Sequence, residues 1–372
     1  MAAARSRSSV IGMNSIAEHR PVARGYRRFL PVAALLILAP FCAEYLIGSI
    51  SIRSLPLLPF LIPLYGAAAV LIREISRRIG GGWSTILPLG AAFGVFQAGI
   101  VDGSLFNTRY AGLDLTGAQV PVLDFSAVFG LAFVMNHMML SIGAPIALIE
   151  ALAPDGQAAP WLGRFGVAVT ALCYLAGSLL IGADNWAHEH FYPSPLQLAS
   201  AAVTIAVLIA VALGLPRRRA DHPSGPRSGP RPESMARAPG PWRVGGFTAL
   251  VTGGYFFVPP NWFGVVLGLF LIGLTARLFT RWSRAVDWGG RHRIALAAGA
   301  LFTGAWGAPI VGYVTDQTDA VTRIGNVIFA LLTSALVIWT ARRSRSPQQP
   351  EQAAATASLG PPDGPRKAVP GP

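Results

Sequence analysis

The chain has 372 residues, of which 52% are hydrophobic and 13% charged. This is far more apolar than a soluble domain, in which about a quarter of the residues are charged. The formal net charge is +13, but the arginines lie in short segments between apolar runs, which excludes the basic face of a nucleic-acid-binding domain. Cys42 and Cys173 lie in apolar stretches without further ligands at metal-binding spacing, so we expect no disulfide framework and no metal site.

Apolar runs long enough to cross a bilayer recur along the chain. A membrane-spanning helix needs about 20 mostly apolar residues. The runs of that kind are 29–50, 55–75, 83–106, 125–152, 165–183, 196–215, 244–258, 262–279, 294–314 and 325–341. They predict an all-α, polytopic transmembrane helix bundle with about ten spans. The run 244–258 is short and ends at two prolines, so a re-entrant segment is the alternative there.

Arginine placement predicts the orientation of the bundle. Basic residues are retained on the cytoplasmic side of a membrane. If both termini lie inside, the alternating inner segments hold nearly all of the 30 lysines and arginines, and the outer side keeps Arg53, Arg109 and Arg323. We therefore expect both the N-terminus and the C-terminus in the cytoplasm. The arginine-rich composition, with the resemblance described below, predicts a bacterial plasma membrane.

The predicted spans fall into two groups. Residues 29–215 form a predicted six-span bundle, and residues 244–341 form a predicted four-span bundle. The linker 216–243 is rich in proline and arginine, and the segments 1–28 and 342–372 are similarly poor in residues that could build a core. Such compositions predict disordered cytoplasmic segments.

Four polar residues lie at membrane depth inside apolar runs: Glu44, Gln97, Asn136 and His137. Polar groups at that depth are costly unless they are paired or hydrated, and they often mark functional sites. A rise of about 1.5 Å per residue places Glu44, Gln97 and His137 in one layer of the bilayer. If they converge, we expect a site for proton relay or for binding a polar substrate.

A structural role is the alternative for the same residues. Glu44 would then be hydrated near the outer interface, while Asn136 and His137 would hydrogen-bond neighbouring helices. Tyr45 and Tyr65 are the predicted hydrogen-bonding neighbours of the site.

The outer segment that contains His188 and His190 falls short of a zinc ligand set. We interpret it as an interfacial loop with Trp186 and Tyr192 as anchors at the level of the lipid headgroups.

The run Phe133-Val134-Met135-Asn136-His137 fits a Phe-x-x-x-His pattern. It resembles one motif of the intramembrane CAAX-protease and bacteriocin-processing family. Members of that family carry adjacent glutamates followed by an arginine on an earlier helix, where this chain has Gln97-Ala98 and Val101. The family's third motif, His-x-x-x-Asn or Asp, also has no match. The resemblance therefore implies at most a catalytically inactive, peptide-binding relative.

Three other runs resemble a group of uncharacterised bacterial multi-pass membrane proteins. These are Arg73-Glu74, Gly82-Trp83 and Ser104-Leu105-Phe106-Asn107. This resemblance implies location in a membrane and no particular activity.

Three functions are compatible with these features. The first is a transporter or permease-like carrier, favoured by the number of spans, the prolines within them and the polar layer. The second is the inactive protease-like binder of membrane peptides, and the third is a non-catalytic membrane scaffold. No catalytic residue set and no cofactor motif is recognised, which disfavours an enzyme. The expected partners are the lipid bilayer and either a small polar substrate or a membrane peptide, not nucleic acid.

Overall fold

The structure is a computed structural model that describes residues 25–153, 159–215, 237–285 and 287–344. The described α-helices are, in chain order, α1 Gly25–Pro40, α2 Leu58–Leu61, α3 Ala67–Arg78, α4 Trp83–Phe96, α5 Ala127–Asn136, α6 Ala144–Leu152, α7 Arg164–Glu189, α8 Pro195–Gly214, α9 Pro241–Gly254, α10 Trp262–Trp282, α11 Gly290–Val314 and α12 Ala320–Arg343. Four stretches of π-helix continue or join them: π1 Phe41–Tyr45, π2 Ile62–Gly66, π3 Gln97–Val101 and π4 His137–Gly143. Short 3-10 helices cover Ile52–Leu57, Tyr110–Gly112 and Tyr255–Phe257.

Eight continuous helical segments of the described chain are long and apolar enough to cross a membrane: Ile52–Arg78, Trp83–Val101, Ala127–Leu152, Arg164–Glu189, Pro195–Gly214, Trp262–Trp282, Gly290–Val314 and Ala320–Arg343. A ninth apolar helix, Phe29–Tyr45, is shorter. The prediction of an all-α, polytopic helix bundle is confirmed. Regular strand in the described residues is confined to the antiparallel pair β1 Gln119–Val120 and β2 Phe125–Ser126, which precedes α5.

The run predicted as 244–258 is helical but short. Helix α9 has 14 residues, which at about 1.5 Å per residue rise about 21 Å, less than the hydrocarbon thickness of about 30 Å. The helix lies against α11, where a Cβ added to Gly299 would lie 2.8 Å from the Cβ of Thr248. Glycine at this position therefore allows the two helix backbones to approach closely.

Prolines explain why the second predicted span does not run as one regular helix. Proline lacks the backbone N–H that an α-helix interior requires. Pro56 lies in the 3-10 turn Ile52–Leu57, and Pro63 lies in π2. Regular α-helix resumes only at α3, so the prolines position the π-helical stretch in the middle of this span.

The two predicted groups of spans share a hydrophobic core. One buried cluster contains Tyr45 and Leu148 from the first group together with Leu301 and Phe329 from the second. The ring of Phe329 packs edge-on against Tyr45, with centroids 5.9 Å apart. Helices α11 and α12 thus complete the packing of α1 and α6, while the predicted domain limits remain a prediction.

The segments predicted to be disordered, 1–28, 216–243 and 342–372, fall mostly outside the described residues. Their described ends are helical and belong to α1, α9 and α12.

Candidate functional site

The polar residues of the predicted membrane layer lie in π-helical stretches. Glu44 belongs to π1, Tyr65 to π2, Gln97 begins π3 and His137 begins π4. A π-helical stretch widens one turn of a helix and frequently occurs at functional sites. Four helices therefore change their local geometry at the positions where polar side chains enter the bundle.

Hydrogen bonds connect three of these helices through Tyr65. Its hydroxyl donates to Oε1 of Glu44 and accepts from Nε2 of Gln97 at 3.2 Å. The hydroxyl of Ser49 donates to Oε2 of Glu44 at 2.7 Å. Nε2 of Gln97 also lies 3.5 Å from Oδ2 of Asp102. We call these five residues the Tyr65 cluster.

His137 joins the cluster through ring contacts and not through a bond to an acid. Its ring stacks on Tyr65 with centroids 5.9 Å apart, and Phe93 packs edge-on against it at the same distance. Its Nδ1 lies 3.2 Å from the hydroxyl of Ser141, one turn further along π4. The structure brings Glu44, Gln97 and His137 to one place, with Tyr65 in contact with all three.

The other two predicted members are placed differently. Asn136 is half-buried and lines the cavity beside the cluster. The hydroxyl of Tyr45 donates to the backbone oxygen of Ser54 at 2.8 Å, and its ring packs on Phe329. Tyr45 therefore does not bond to the polar layer, and the expectation that it is a neighbour of the site is corrected.

Asp102 is a member of the cluster that the sequence analysis did not single out. It directly follows π3, outside the membrane-spanning segment, and its Oδ1 accepts from the backbone N–H of Ser104 at 2.9 Å. Burial raises the pKa of Asp102 to about 7; the hydrogen bonds from Ser104 oppose this rise, and the nearby Glu44 adds to it. Asp102 therefore changes its protonation near neutral pH.

A cavity of about 2200 Å³ opens beside the cluster. Its lining includes Glu44, Ser49, Tyr65, Gln97, Asp102 and His137. It extends along the helices from Arg77 and Arg293 at one end to Asp114 and Gln317 at the other. Small-molecule pockets usually enclose about 300 to 1,000 Å³. The cavity is therefore large enough for a ligand with a bulky or extended body.

A second cluster of polar residues is buried near the end of α3. The sequence analysis did not predict that these residues come together. Arg73 is fully buried and bonds to Glu74 at 2.8 Å and to Glu150 at 3.1 Å. Arg77 also bonds to Glu150, at 2.6 Å. The guanidinium carbon of Arg73 lies 3.6 Å from the ring centroid of Trp161, whose backbone N–H donates to Glu74.

This ion network fastens α3 to α6 and to the segment before α7. Its signal in the sequence was Glu150, an acid near the end of an apolar helix and so a partner for arginines at the same membrane level.

The segment with two histidines is helical up to Glu189. His188 lies in the last turn of α7, where its Nδ1 contacts the backbone oxygen of Asp184 at 2.9 Å. This corrects the predicted loop. The rings of Trp186 and Tyr192 pack edge-on at 5.7 Å. Within the described residues, no group of three or more His, Cys, Asp or Glu side chains is arranged to hold a metal ion.

These features define a multi-pass α-helical membrane protein with a hydrogen-bonded polar cluster inside its bundle. The model of a family described as "Uncharacterized membrane protein family" matches residues 33–357, and the chain belongs to this family. No curated protein and no solved structure matches the chain. The family match supports the resemblance to multi-pass proteins of unknown activity and does not support the resemblance to the CAAX-protease family.

Proposed function

We propose that the protein is a carrier that binds a polar group of its substrate at the Tyr65 cluster. The observation that supports this proposal is the hydrogen-bonded chain from Glu44 through Tyr65 to Gln97, which borders a cavity of about 2200 Å³. Polar residues at membrane depth are costly, and they mark substrate or ion pathways in membrane proteins.

Irregular helices at the site support the same proposal. Carriers bind substrate near the middle of the bilayer, where interrupted helices expose backbone and side-chain polar groups to a cavity. Here π2 and π4 interrupt two helical segments at the level of the cluster, and π1 and π3 end two others. The residues that line the cavity include some near each end of the bundle.

The orientation belongs to the proposal. With both termini in the cytoplasm, Arg77 and Arg293 border the inner end of the cavity, and Asp114 and Gln317 border its outer end. A bacterial plasma membrane is the proposed location. Enzymatic activity is not part of the proposal, and the cluster is assigned a binding role.

Access to the cavity from both sides tests the proposal. Asn136→Cys, made in a Cys173→Ser background, places a thiol on the cavity wall. We expect a membrane-impermeant thiol reagent to label it both in right-side-out and in inside-out vesicles. Ala69→Cys is the matched control, because Ala69 is fully buried and its replacement should stay unlabelled. Labelling of position 136 from one side only, or from neither, would contradict a carrier.

Peptide binding is the second candidate, favoured by the contact of His137 with the same cluster. A photoreactive residue in place of Met135, which lines the cavity next to that site, would then crosslink a membrane peptide. A scaffold would instead co-purify with a partner and would retain it when Tyr65 is replaced by Phe.

A further inference from the structure

The amide group of Gln97 has an oxygen that lacks a donor. Gln97 is 2% exposed, and its Oε1 forms no hydrogen bond within the described chain. The orientation of the amide is fixed by its neighbours. The hydroxyl hydrogen of Tyr65 points to Glu44, so the Tyr65 oxygen can only accept from Gln97, and the carboxylate of Asp102 accepts on the same side. A buried acceptor of this kind is satisfied in nearly all native structures, which indicates a missing donor.

The cluster has two carboxyl groups, and no basic side chain among the described residues forms a salt bridge with either of them. The described salt bridges involve Glu74, Glu150, Asp184 and Asp319, and neither Glu44 nor Asp102 is among them. The groups that bond to these two carboxyls are hydroxyls, an amide and a backbone N–H. Carboxylates removed from water are costly unless a cation or a proton neutralises them. Where the two acids have released their protons, the cluster therefore favours a positively charged occupant.

Part of the cavity lining is apolar and deformable. Met135, Met138 and Met139 flank His137 in the sequence, and all three line the cavity. Methionine is unbranched and polarisable, and it is common at surfaces that accept apolar bodies of varied shape. The tyrosine ring at the cluster adds a face that attracts cations.

We infer that the substrate of the proposed carrier is an amphiphilic organic cation with a protonated amine. Its N–H groups donate to Oε1 of Gln97 and to the carboxylates of Glu44 and Asp102, and its apolar part lies along the methionine wall. This inference rests on the proposed function and names the chemical class of its substrate. One amine N–H satisfies the open Oε1 of Gln97, and the charge of the amine neutralises the acids.

A series of six-carbon probes tests the inference on the purified full-length protein in lipid nanodiscs. The probes are n-hexylammonium, trimethylhexylammonium, n-hexanol and n-hexanoate, with sodium chloride as a further arm. The readout is the rise of the unfolding temperature with probe concentration, which gives an apparent Kd. We expect n-hexylammonium to bind at least tenfold more tightly than the other three organic probes, with no effect of sodium ions alone. Hexanol measures partition of the alkyl chain, and trimethylhexylammonium retains the charge without an N–H.

Variants connect this preference to the cluster. Glu44→Gln and Asp102→Asn should each weaken n-hexylammonium about tenfold to a hundredfold, the loss expected for one charge-assisted hydrogen bond. Asp184→Asn makes the same chemical change at an exposed position of α7 and should leave the affinity unchanged. Because a variant can fail to fold, each is first required to elute from size-exclusion chromatography as the parent protein does.

The outcomes separate the inference from the proposed function. Equal binding of n-hexanol, tighter binding of n-hexanoate, stabilisation by sodium ions alone, or unchanged affinity in both variants would each overturn the cationic substrate. If the cationic substrate is overturned but Asn136→Cys is still labelled from both sides, the carrier proposal stands and only its substrate class is rejected. Selective amine binding, combined with labelling of Asn136→Cys from one side only, would support the amine site at the Tyr65 cluster and reject transport.

Discussion

Tyr65 and Gln97 share a hydrogen bond of 3.2 Å that joins the helical segment Ile52–Arg78 to the segment Trp83–Val101 inside the bundle. The tyrosine oxygen accepts this bond while its hydrogen is donated to Glu44, so one hydroxyl serves two buried partners. The cluster depends on this hydroxyl more than on the histidine beside it, whose ring nitrogen bonds within its own helix.

Replacing Tyr65 by Phe tests this dependence. The change removes one hydrogen bond from Oε1 of Glu44 and one from Nε2 of Gln97, while Ser49 and Asp102 remain as their other partners. A buried polar atom that loses its hydrogen bond costs about 1 to 3 kcal/mol. Tyr45→Phe is the matched control, because that hydroxyl makes one bond, to the backbone oxygen of Ser54. We expect the larger fall in unfolding temperature for Tyr65→Phe, measured in detergent by differential scanning fluorimetry. An equal or smaller fall would show that the Tyr65 bonds contribute little.

The buried ion network predicts a strong effect of Glu150→Ala. Glu150 bonds to Arg73 and Arg77, and removing one partner of a buried ion pair costs about 3 to 5 kcal/mol because charge is left uncompensated. Arg53→Ala breaks the exposed pair with Asp319 and should change little. Chemical denaturation of both variants in the same detergent measures the difference. Comparable losses in the two variants would contradict the structural role of the network.

Protonation of Asp102 predicts a pH-dependent stability. The folded protein holds this proton up to a pKa of about 7, whereas the ordinary aspartate value is 3.8. Between these values the unfolded chain releases its proton first, so this group's contribution to stability falls as pH rises from about 4 to 7 and then levels off. Unfolding temperatures between pH 4 and 8 should therefore decline less steeply for Asp102→Asn. Glu44 and Tyr110 are the titratable neighbours, and the variant isolates Asp102 from them. Parallel pH curves for the parent and the variant would contradict the assignment.

Glycine positions predict opposite responses to the same substitution. A Cβ on Gly66 would lie 2.8 Å from the Cα of Leu36, so Gly66→Ala must displace helix α1 from π2. Overpacking of this kind costs about 1 to 3 kcal/mol. Gly246 in α9 has open space at its Cβ, and alanine there should be neutral or stabilise by about 0.5 to 1 kcal/mol. The unfolding temperatures of the two variants test this prediction. A stabilising Gly66→Ala would contradict the close approach of α1 to π2.

The spans can be predicted because the length of an apolar run is read from one segment of sequence, without knowledge of its neighbours in the fold. Every predicted run contains helix; eight of the ten match helical segments long and apolar enough to span a membrane, whereas the first run and α9 are shorter. The depth of Glu44, Gln97 and His137 along the helices predicted a shared layer and left their convergence open. The partner of each acid did not follow, because pairing depends on helix rotation. Tyr65 faces the polar layer and Tyr45 faces Phe329, although both are single tyrosines in apolar runs.

The rotation of each helix about its axis could not be predicted from the sequence, for a physical reason. Hydrophobic periodicity assumes a constant turn per residue, and π-helix changes that turn locally. Asp102 falls inside the predicted run 83–106 but was not singled out; π3 ends just before it, and its carboxylate lies beside the amide of Gln97. Similarly, Glu150 and Arg73 are distant in sequence, and their pairing depends on the packing of α3 and α6.

The π-helical stretches also make chain length at these points as important as residue identity. Each stretch carries one residue more than an α-helical path of equal rise, so everything beyond it is rotated by about 100° relative to an uninterrupted α-helix. Deleting one residue from Gln97–Val101 would keep every chemical group of the site and still turn Asp102 away from Gln97. A relative with the same polar residues but a different count between them would direct those side chains elsewhere, and residue matching alone would not reveal it.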